Sequence, residues 1–260
     1  LVGKVDLANA NALSVFSKGI ADGIPSYDVI GLALNTDNGD IYLTMETTPG
    51  QILKINSAGK ASVIYSGSPI TEPTGIAYNP VNKQIYWVNS GDDKIYTAKA
   101  DGTGTPTALF GGADVNADGY ALELDTKNGK LYYSDWDDIY VGNLNGTGTP
   151  TILYEGDKTD TIQSPSSLFL DVANGRIYYT DESADVVASA KLDGSGDFQI
   201  LFNYDTDGVN RSDGLAIDFV TKKIYWSETN AERIRVGNLD GSGTPTTLVS
   251  GVESYNLILK

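Results

Sequence analysis

An all-β chain built from a repeated four-stranded unit is predicted by three observations. Near copies of one aromatic segment occur five times: "GDIYLTM" (39–45), "KQIYWVN" (83–89), "GKLYYSD" (129–135), "GRIYYTD" (175–181) and "KKIYWSE" (222–228). Their first tyrosines, Tyr42, Tyr86, Tyr132, Tyr178 and Tyr225, stand 44, 46, 46 and 47 residues apart, and a fixed period of roughly 20–50 residues marks a repeat architecture. The apolar stretches are dominated by Val, Ile, Thr and Tyr, and no long window carries the 3.6-residue helical beat. Short antiparallel strands in groups of four, repeated around a ring, describe a β-propeller. An open β-solenoid is the alternative, and a two-sheet sandwich does not generate this period.

Each unit reads as four strands in order. The first ends in Asn or Asp: "GLALN" (31–35), "GIAYN" (75–79), "ALELD" (121–125), "SLFLD" (167–171) and the run ending at Asp218. A tight turn follows, "TDNG", "TKNG" or "VANG" in three units, and Asn-Gly between apolar runs is a strong hairpin signal. The aromatic copy is the second strand. The third is typified by "KIYTAKAD" (94–101) and "RIRVGNLD" (233–240), the turn after it by "DGTGTPT" (101–107), and the fourth strand by "TILY" (151–154). One sheet cannot bury both of its faces alone. Stacking blades buries them, and large aromatic pairs fill the wedge between neighbours. The Tyr–Trp and Tyr–Tyr pairs are therefore read as structural.

Five units are explicit, and the termini hold parts of another. "KVDLANANALSVF" (4–16) lines up with third and fourth strands, and "YNLILK" (255–260) with a first strand. The expectation is a single domain over 1–260: a six-bladed β-propeller of four-stranded blades, the sixth closed by both termini and missing one strand. A five-bladed ring is the runner-up. Beginning at Leu1 rather than Met, the chain reads as processed or excised.

Composition narrows the chemistry. The net charge is −16, which repels phosphate backbones, so nucleic acid is not an expected partner. It suits a cationic partner or bound metal cations. No apolar run approaches the ~18 residues a membrane helix needs, so membrane insertion is not expected. The chain has no Cys and no His. Disulfides and thiolate chemistry are excluded, and the commonest general base and zinc ligand are missing.

The segments "IYW", "YYSD" (132–135) and "YYTD" (178–181), with Asp-Gly turns after them, resemble the YWTD repeat, the class B repeat of the low-density lipoprotein receptor family. The likeness runs over the whole chain, with departures at Met45, Val88, Asn89 and Glu228. It implies a six-bladed propeller that binds proteins and is not catalytic. It also implies that the acidic position of the motif, here Asp135 and Asp181, ties strands together. Animal members flank the propeller with a Cys-rich module. This chain has no Cys, so a bacterial or archaeal protein is expected, extracellular, at the cell surface or periplasmic.

Function is expected on the variable loops of one face, because loops on a rigid scaffold carry binding residues; the resemblance points to the same face. Seven residues before the end of each first strand stand Asp28, Glu72, Asp118, Ser164 and Arg211, with Glu253 sixth. The loops after the aromatic strands add acids and Trp136. The candidate ligand-binding set is Asp28, Glu72, Asp118, Tyr120, Trp136, Glu182, Arg211, Glu228 and Tyr255, a rim suited to a cationic protein or peptide segment or to a glycan. Two loops have alternating oxygen ligands before a Gly, as calcium-wrapping loops do. "DVNADG" offers Asp114, Asn116 and Asp118, and "NYDTDG" offers Asn203, Asp205 and Asp207. Asp-x-Asp-Gly is also ordinary turn chemistry. The expected function is a non-catalytic extracellular interaction propeller. The alternatives are a calcium-dependent propeller hydrolase or lyase of the lactonase type, and a glycan-binding lectin.

Overall fold

The computed structural model describes residues 3–5, 13–15, 29–111, 119–156 and 162–259. It is an all-β propeller with five four-stranded blades, which corrects the expectation of six. Among the described residues the N-terminal strands β1 (Gly3–Val5) and β2 (Leu13–Val15) pair with each other and with no other strand. Blade 1 holds β3 (Val29–Leu34), β4 (Ile41–Met45), β5 (Gln51–Ile55) and β6 (Ala61–Ser66). Blade 2 holds β7 (Pro73–Asn79), β8 (Gln84–Asn89), β9 (Lys94–Lys99) and β10 (Thr107–Phe110). Blade 3 holds β11 (Leu122–Asp125), β12 (Lys130–Ser134), β13 (Ile139–Asn143) and β14 (Thr151–Tyr154). Blade 4 holds β15 (Pro165–Asp171), β16 (Arg176–Asp181), β17 (Val186–Lys191) and β18 (Gln199–Asn203). Blade 5 holds β19 (Ser212–Asp218), β20 (Lys223–Glu228), β21 (Arg233–Asn238) and β22 (Thr246–Ser250). In each blade the strands pair antiparallel in chain order, and the first strands of successive blades touch.

The register explains the aromatic pair. Adjacent residues of a strand point to opposite faces, so the two aromatics of each copy straddle their sheet. Tyr42 shares a buried cluster with Trp87 of the next blade, Tyr86 with Tyr133, and Tyr178 with Trp226. Tyr132 and Tyr179 repeat the arrangement between blades 3 and 4. Each of these four seams thus receives one aromatic from either side. Truncating such a side chain costs roughly 3–5 kcal/mol.

The next residue of the motif adds a peg. Thr44 Oγ1 donates to the Thr74 carbonyl of the next blade, and Thr180 Oγ1 to the Asp213 carbonyl. Blade 2 has Val88 at this place and makes no such bond. The inner strands also run close together. A Cβ on Gly31 would lie 2.3 Å from the Thr74 oxygen, and one on Gly75 2.9 Å from the Ala121 carbonyl carbon. Only glycine permits that approach.

The stretch after β22 forms no strand. Asn256 nevertheless lies against Gly214 of blade 5 as Ala121 lies against Gly75, with its Cα 2.5 Å from where a Cβ on Gly214 would stand. Two residues on, Ile258 packs into the aliphatic core of blade 1 with Leu43, Met45 and Leu53. The C-terminal stretch therefore closes the ring between blades 5 and 1. The aligned first strand is in its predicted place, but no second strand pairs with it among the described residues, so a sixth blade is not formed.

Candidate functional site

The propeller's lower face carries the turns after the first and third strands. These are short and closed on themselves: Asp101 Oδ1 accepts from the Thr103 amide at 2.8 Å, and Asn145, Asp193 and Asp240 repeat the pattern. The upper face carries the longer loops, and in blades 2 to 5 the last residue of the aromatic motif anchors them, whereas Met45 of blade 1 is apolar and buried in the core. Asp181 takes four backbone amides, from Gln163 and Ser164 on Oδ2 and from Ser183 and Ala184 on Oδ1. Asp135 takes the amides of Asp137 and Asp138 and the Tyr140 hydroxyl. Asn89 does the same in blade 2, accepting from the Thr71 amide and donating to Pro69 and Asp92. Asp181 and Asn89 thereby join the loop of their own blade to the connection entering it, and Asp135 ties up its own loop.

Glu228 is the blade 5 version, and it is buried rather than on the rim. Its Oε1 accepts from Trp226 Nε1 at 2.9 Å and from Arg235 at 3.3 Å, and its Oε2 from Arg233 Nε at 2.7 Å. The Arg235 guanidinium also lies 5.4 Å over the Trp226 ring. This expected ligand residue is thus a structural anchor.

The other rim residues fall into two groups. In blade 3, Tyr120 and Trp136 meet edge to face, ring centroids 5.5 Å apart, with Trp136 45% exposed. Across blades 4 and 5, Arg211 Nε donates to Glu182 Oε2 at 3.0 Å and the Arg211 amide to Asp185 at 2.6 Å. Tyr255 follows, its hydroxyl donating to Glu253 at 3.0 Å. Glu72 is exposed over blade 2, and its carbonyl accepts from the Ser90 amide and hydroxyl. Asp28, Asp114, Asn116 and Asp118 lie outside the described residues.

The second candidate calcium loop is a single helical turn, α1 (Tyr204–Asp207). Asn203 Oδ1 caps it, accepting from the Thr206 amide and hydroxyl, while Asp207 Oδ2 accepts from the Asn203 amide and Thr206. Capping and coordination draw on the same oxygens. Among the described residues no three acidic side chains gather to hold a metal ion.

Asp213 was not picked out by the loop reading. It sits near the start of β19, and its Oδ2 accepts from the Thr229 hydroxyl at 2.5 Å. Burial pushes its carboxyl up to about 6, Thr229 pulls it back, and the neighbouring Glu182 adds to the rise. The corresponding residues in other blades are Ile30, Thr74, Tyr120 and Ser166, so a charged group there was the available signal. Glu123, on β11, was also missed. It is half-buried in the seam toward blade 4, where desolvation pushes its carboxyl up to about 8.

The charge of the upper face has a definite bookkeeping. Lys94, Arg211, Arg233 and Arg235 are its described cations, and each is paired with an acid of the same face: Asp92, Glu182 and, twice, Glu228. Glu72, Asp93, Asp137, Asp185, Glu232 and Glu253 have no cationic partner among the described residues. The lower face holds most of the lysines, including Lys60, Lys99, Lys127, Lys191 and Lys222. The negative surplus is therefore concentrated on the upper face.

Fold and repeat together define a β-propeller of YWTD-like blades. No protein-family model matches the chain. Over 135 residues, 51% of its length, the chain is 27% identical to the low-density lipoprotein receptor-related protein 5 of Mus musculus. That stretch is 8% of the relative's length, and the match supports the YWTD resemblance. Among solved structures, a chain of the nidogen/laminin complex superposes with a TM-score of 0.70 at 22% identity, covering 81% of this chain and 76% of that one. Virginiamycin B lyase from Staphylococcus aureus, in a catalytically inactive histidine-to-alanine variant with quinupristin, gives 0.67 at 14% identity over 88% and 73%. An auxiliary nutrient binding protein from Bacteroides thetaiotaomicron gives 0.65 at 15% identity over 85% and 56%. These likenesses show the fold. No helix among the described residues is long and apolar enough to cross a membrane.

Proposed function

We propose that the chain is a non-catalytic binding propeller, acting outside the cell in a prokaryotic secreted or surface protein, whose upper face takes a cationic segment of a protein partner. The observation that carries this reading is the internal pairing of every described upper-face cation, which leaves the remaining acids to attract charge from outside. The exposed part of Trp136, packed on the half-buried Tyr120, adds an aromatic surface on which a Lys or Arg can rest. The relative and the nidogen/laminin neighbour support a protein partner. The lyase neighbour offers a second reading, but its inactive form lacks a histidine, and this chain contains none.

The test is binding of a fluorescent Lys/Arg-rich decapeptide. Weak binding at low salt, falling steeply as ionic strength rises, is expected. The triple variant Glu72→Gln, Asp137→Asn, Glu253→Gln should bind about 10-fold more weakly, and Trp136→Ala about 3-fold, with unchanged melting. Equal affinity of the triple variant and the parent would overturn the reading.

A further inference from the structure

The lower ends of the seams are not filled alike. Between blades 1 and 2, Tyr42 stacks on Tyr78 with ring centroids 5.4 Å apart. Between blades 4 and 5, Phe169 of β15 meets Phe219, the residue after β19, edge to face at 5.8 Å. The register identifies the same two places one seam earlier. Glu123 pairs with Tyr132 as Phe169 pairs with Tyr178, and Asp171 pairs with Arg176 as Asp218 pairs with Lys223. Glu123 therefore stands where Phe169 does, and Val172, which follows Asp171, stands where Phe219 does. The seam between blades 3 and 4 has a carboxyl and an isopropyl group where the next seam has two phenyl rings. A cavity of about 320 Å³ remains there, lined by Leu124, Asp125, Thr126, Lys127, Val172 and Ala173. Protein interiors are otherwise packed to near crystal density, and small-ligand sites begin at roughly 300 Å³. Both walls belong to complete blades.

The lining sets the chemistry. Leu124, Val172 and Ala173 supply its apolar part. Asp125 is buried, and its oxygens accept from the Asn128 amide at 2.9 Å and from Asn128 Nδ2 at 2.7 Å. Asp171 is held by Asn174 in the same way. Glu123 lies two residues from Asp125 on the same side of β11, and desolvation keeps its carboxyl neutral at pH 7. Lys127 is exposed and has no acidic partner among the described residues. The unpaired charge of the lining is therefore positive.

We propose that this cavity binds a small, flat aromatic carboxylate, its ring against Leu124 and Val172 and its carboxylate at Lys127. The ring gives this seam what Phe169 and Phe219 give the next one. The carboxylate stays at the solvent side, where the lysine is, and away from the held oxygens of Asp125 and Asp171. The site is on the lower face, apart from the acidic loops proposed above to bind a cationic segment, and the two readings stand or fall independently.

The experiment titrates the whole chain with 2-naphthoate, and with 2-naphthamide as its uncharged twin, by isothermal titration calorimetry at low salt. The carboxylate is expected to bind about 5-fold more tightly than the amide, a modest preference because Lys127 is exposed. Lys127→Gln should remove that preference and leave amide binding unchanged. Val172→Phe places a phenyl ring where Phe219 stands one seam on. It should weaken both ligands about 10-fold or more by filling the cavity, without lowering the melting temperature. Backbone amide resonances should move on addition of 2-naphthoate at 124–127 and 172–175 and stay in place in the upper-face loops. Four results would each overturn the proposal: no saturable binding of 2-naphthoate, equal affinity of the parent and Val172→Phe, a carboxylate preference that survives in Lys127→Gln, or resonance shifts centred on the upper face. Should Val172→Phe not fold, the resonance map of the parent and the Lys127→Gln titration decide.

Discussion

The seam between blades 4 and 5 and the seam that closes the ring between blades 5 and 1 do the same job with different parts. The first is aromatic and hydrogen-bonded across. Tyr178 and Trp226 enter it from either side, Phe202 stacks on Trp226 at 5.0 Å, Thr180 pegs the Asp213 carbonyl, and Ser166 Oγ donates to the Ser212 carbonyl at 2.8 Å. The closing seam has Leu43 where other blades have an aromatic, and it is completed by aliphatic side chains including Ile258, from a stretch that pairs with no strand among the described residues. Among the described residues packing alone holds the closing seam, whereas hydroxyl-to-carbonyl bonds from Thr44, Thr74, Ser166 and Thr180 add to the packing at other seams.

The largest effect should come from the aromatic seam. Trp226→Ala removes a fully buried side chain and a partner of Glu228, and is expected to cost about 4 kcal/mol. Urea unfolding with an unchanged slope would measure it. A loss below about 1 kcal/mol would mean that the aromatic pairs do not dominate the seams.

Next comes a pH-dependent effect between blades 3 and 4. With its carboxyl raised to about 8 by desolvation, Glu123 keeps its proton in the fold at pH values where the unfolded chain has lost it. Its contribution is fully present below the ordinary carboxyl range near 4.5 and is lost as pH rises through about 8. Glu123→Gln, a permanently neutral mimic, should match the parent at pH 5 and exceed it by ~2 kcal/mol at pH 9, the half-burial of the site reducing the full linkage value. Melting curves at the two pH values test this, and an equal difference at both would remove the buried acid from the account.

The smallest expected change is at the closing seam. Ile258→Ala should cost about 1 kcal/mol, less than a fully buried aliphatic truncation because the site is half-exposed. If it equals Trp226→Ala, the two seams are equivalent and the contrast fails.

Much of the architecture was legible because one constraint repeats. The spacing of Tyr42, Tyr86, Tyr132, Tyr178 and Tyr225 reports the pitch of the ring, and the straddling of each sheet by an aromatic pair follows from strand geometry. Blade number was not legible in the same way. The match of 255–260 to a first strand gives the stretch its correct seat against Gly214, yet a blade is defined by pairing, and pairing depends on a second strand. The rim was read more coarsely. Glu182 and Arg211 do meet, whereas Glu228 shares their acidity in the sequence and is turned inward to Arg233 and Arg235. Asn203 and Asp207 show the same ambiguity, since a loop written in ligand-type oxygens can use them to cap its own turn. Asp213 and Glu123 escaped because strand residues were read for packing and loop residues for chemistry.

The unequal joins also set where the molecule comes apart. Each blade touches only its neighbours, so a closed ring with one weak join behaves as a line whose two ends are blade 1 and blade 5. Fluctuations should begin at these ends and travel inward, leaving blade 3 as the last part to yield. A protease that requires an opened chain would then cut near 29–45 or 246–259 long before it reached the loops between Leu122 and Tyr154. Brief digestion would release the edges of the array and spare its centre.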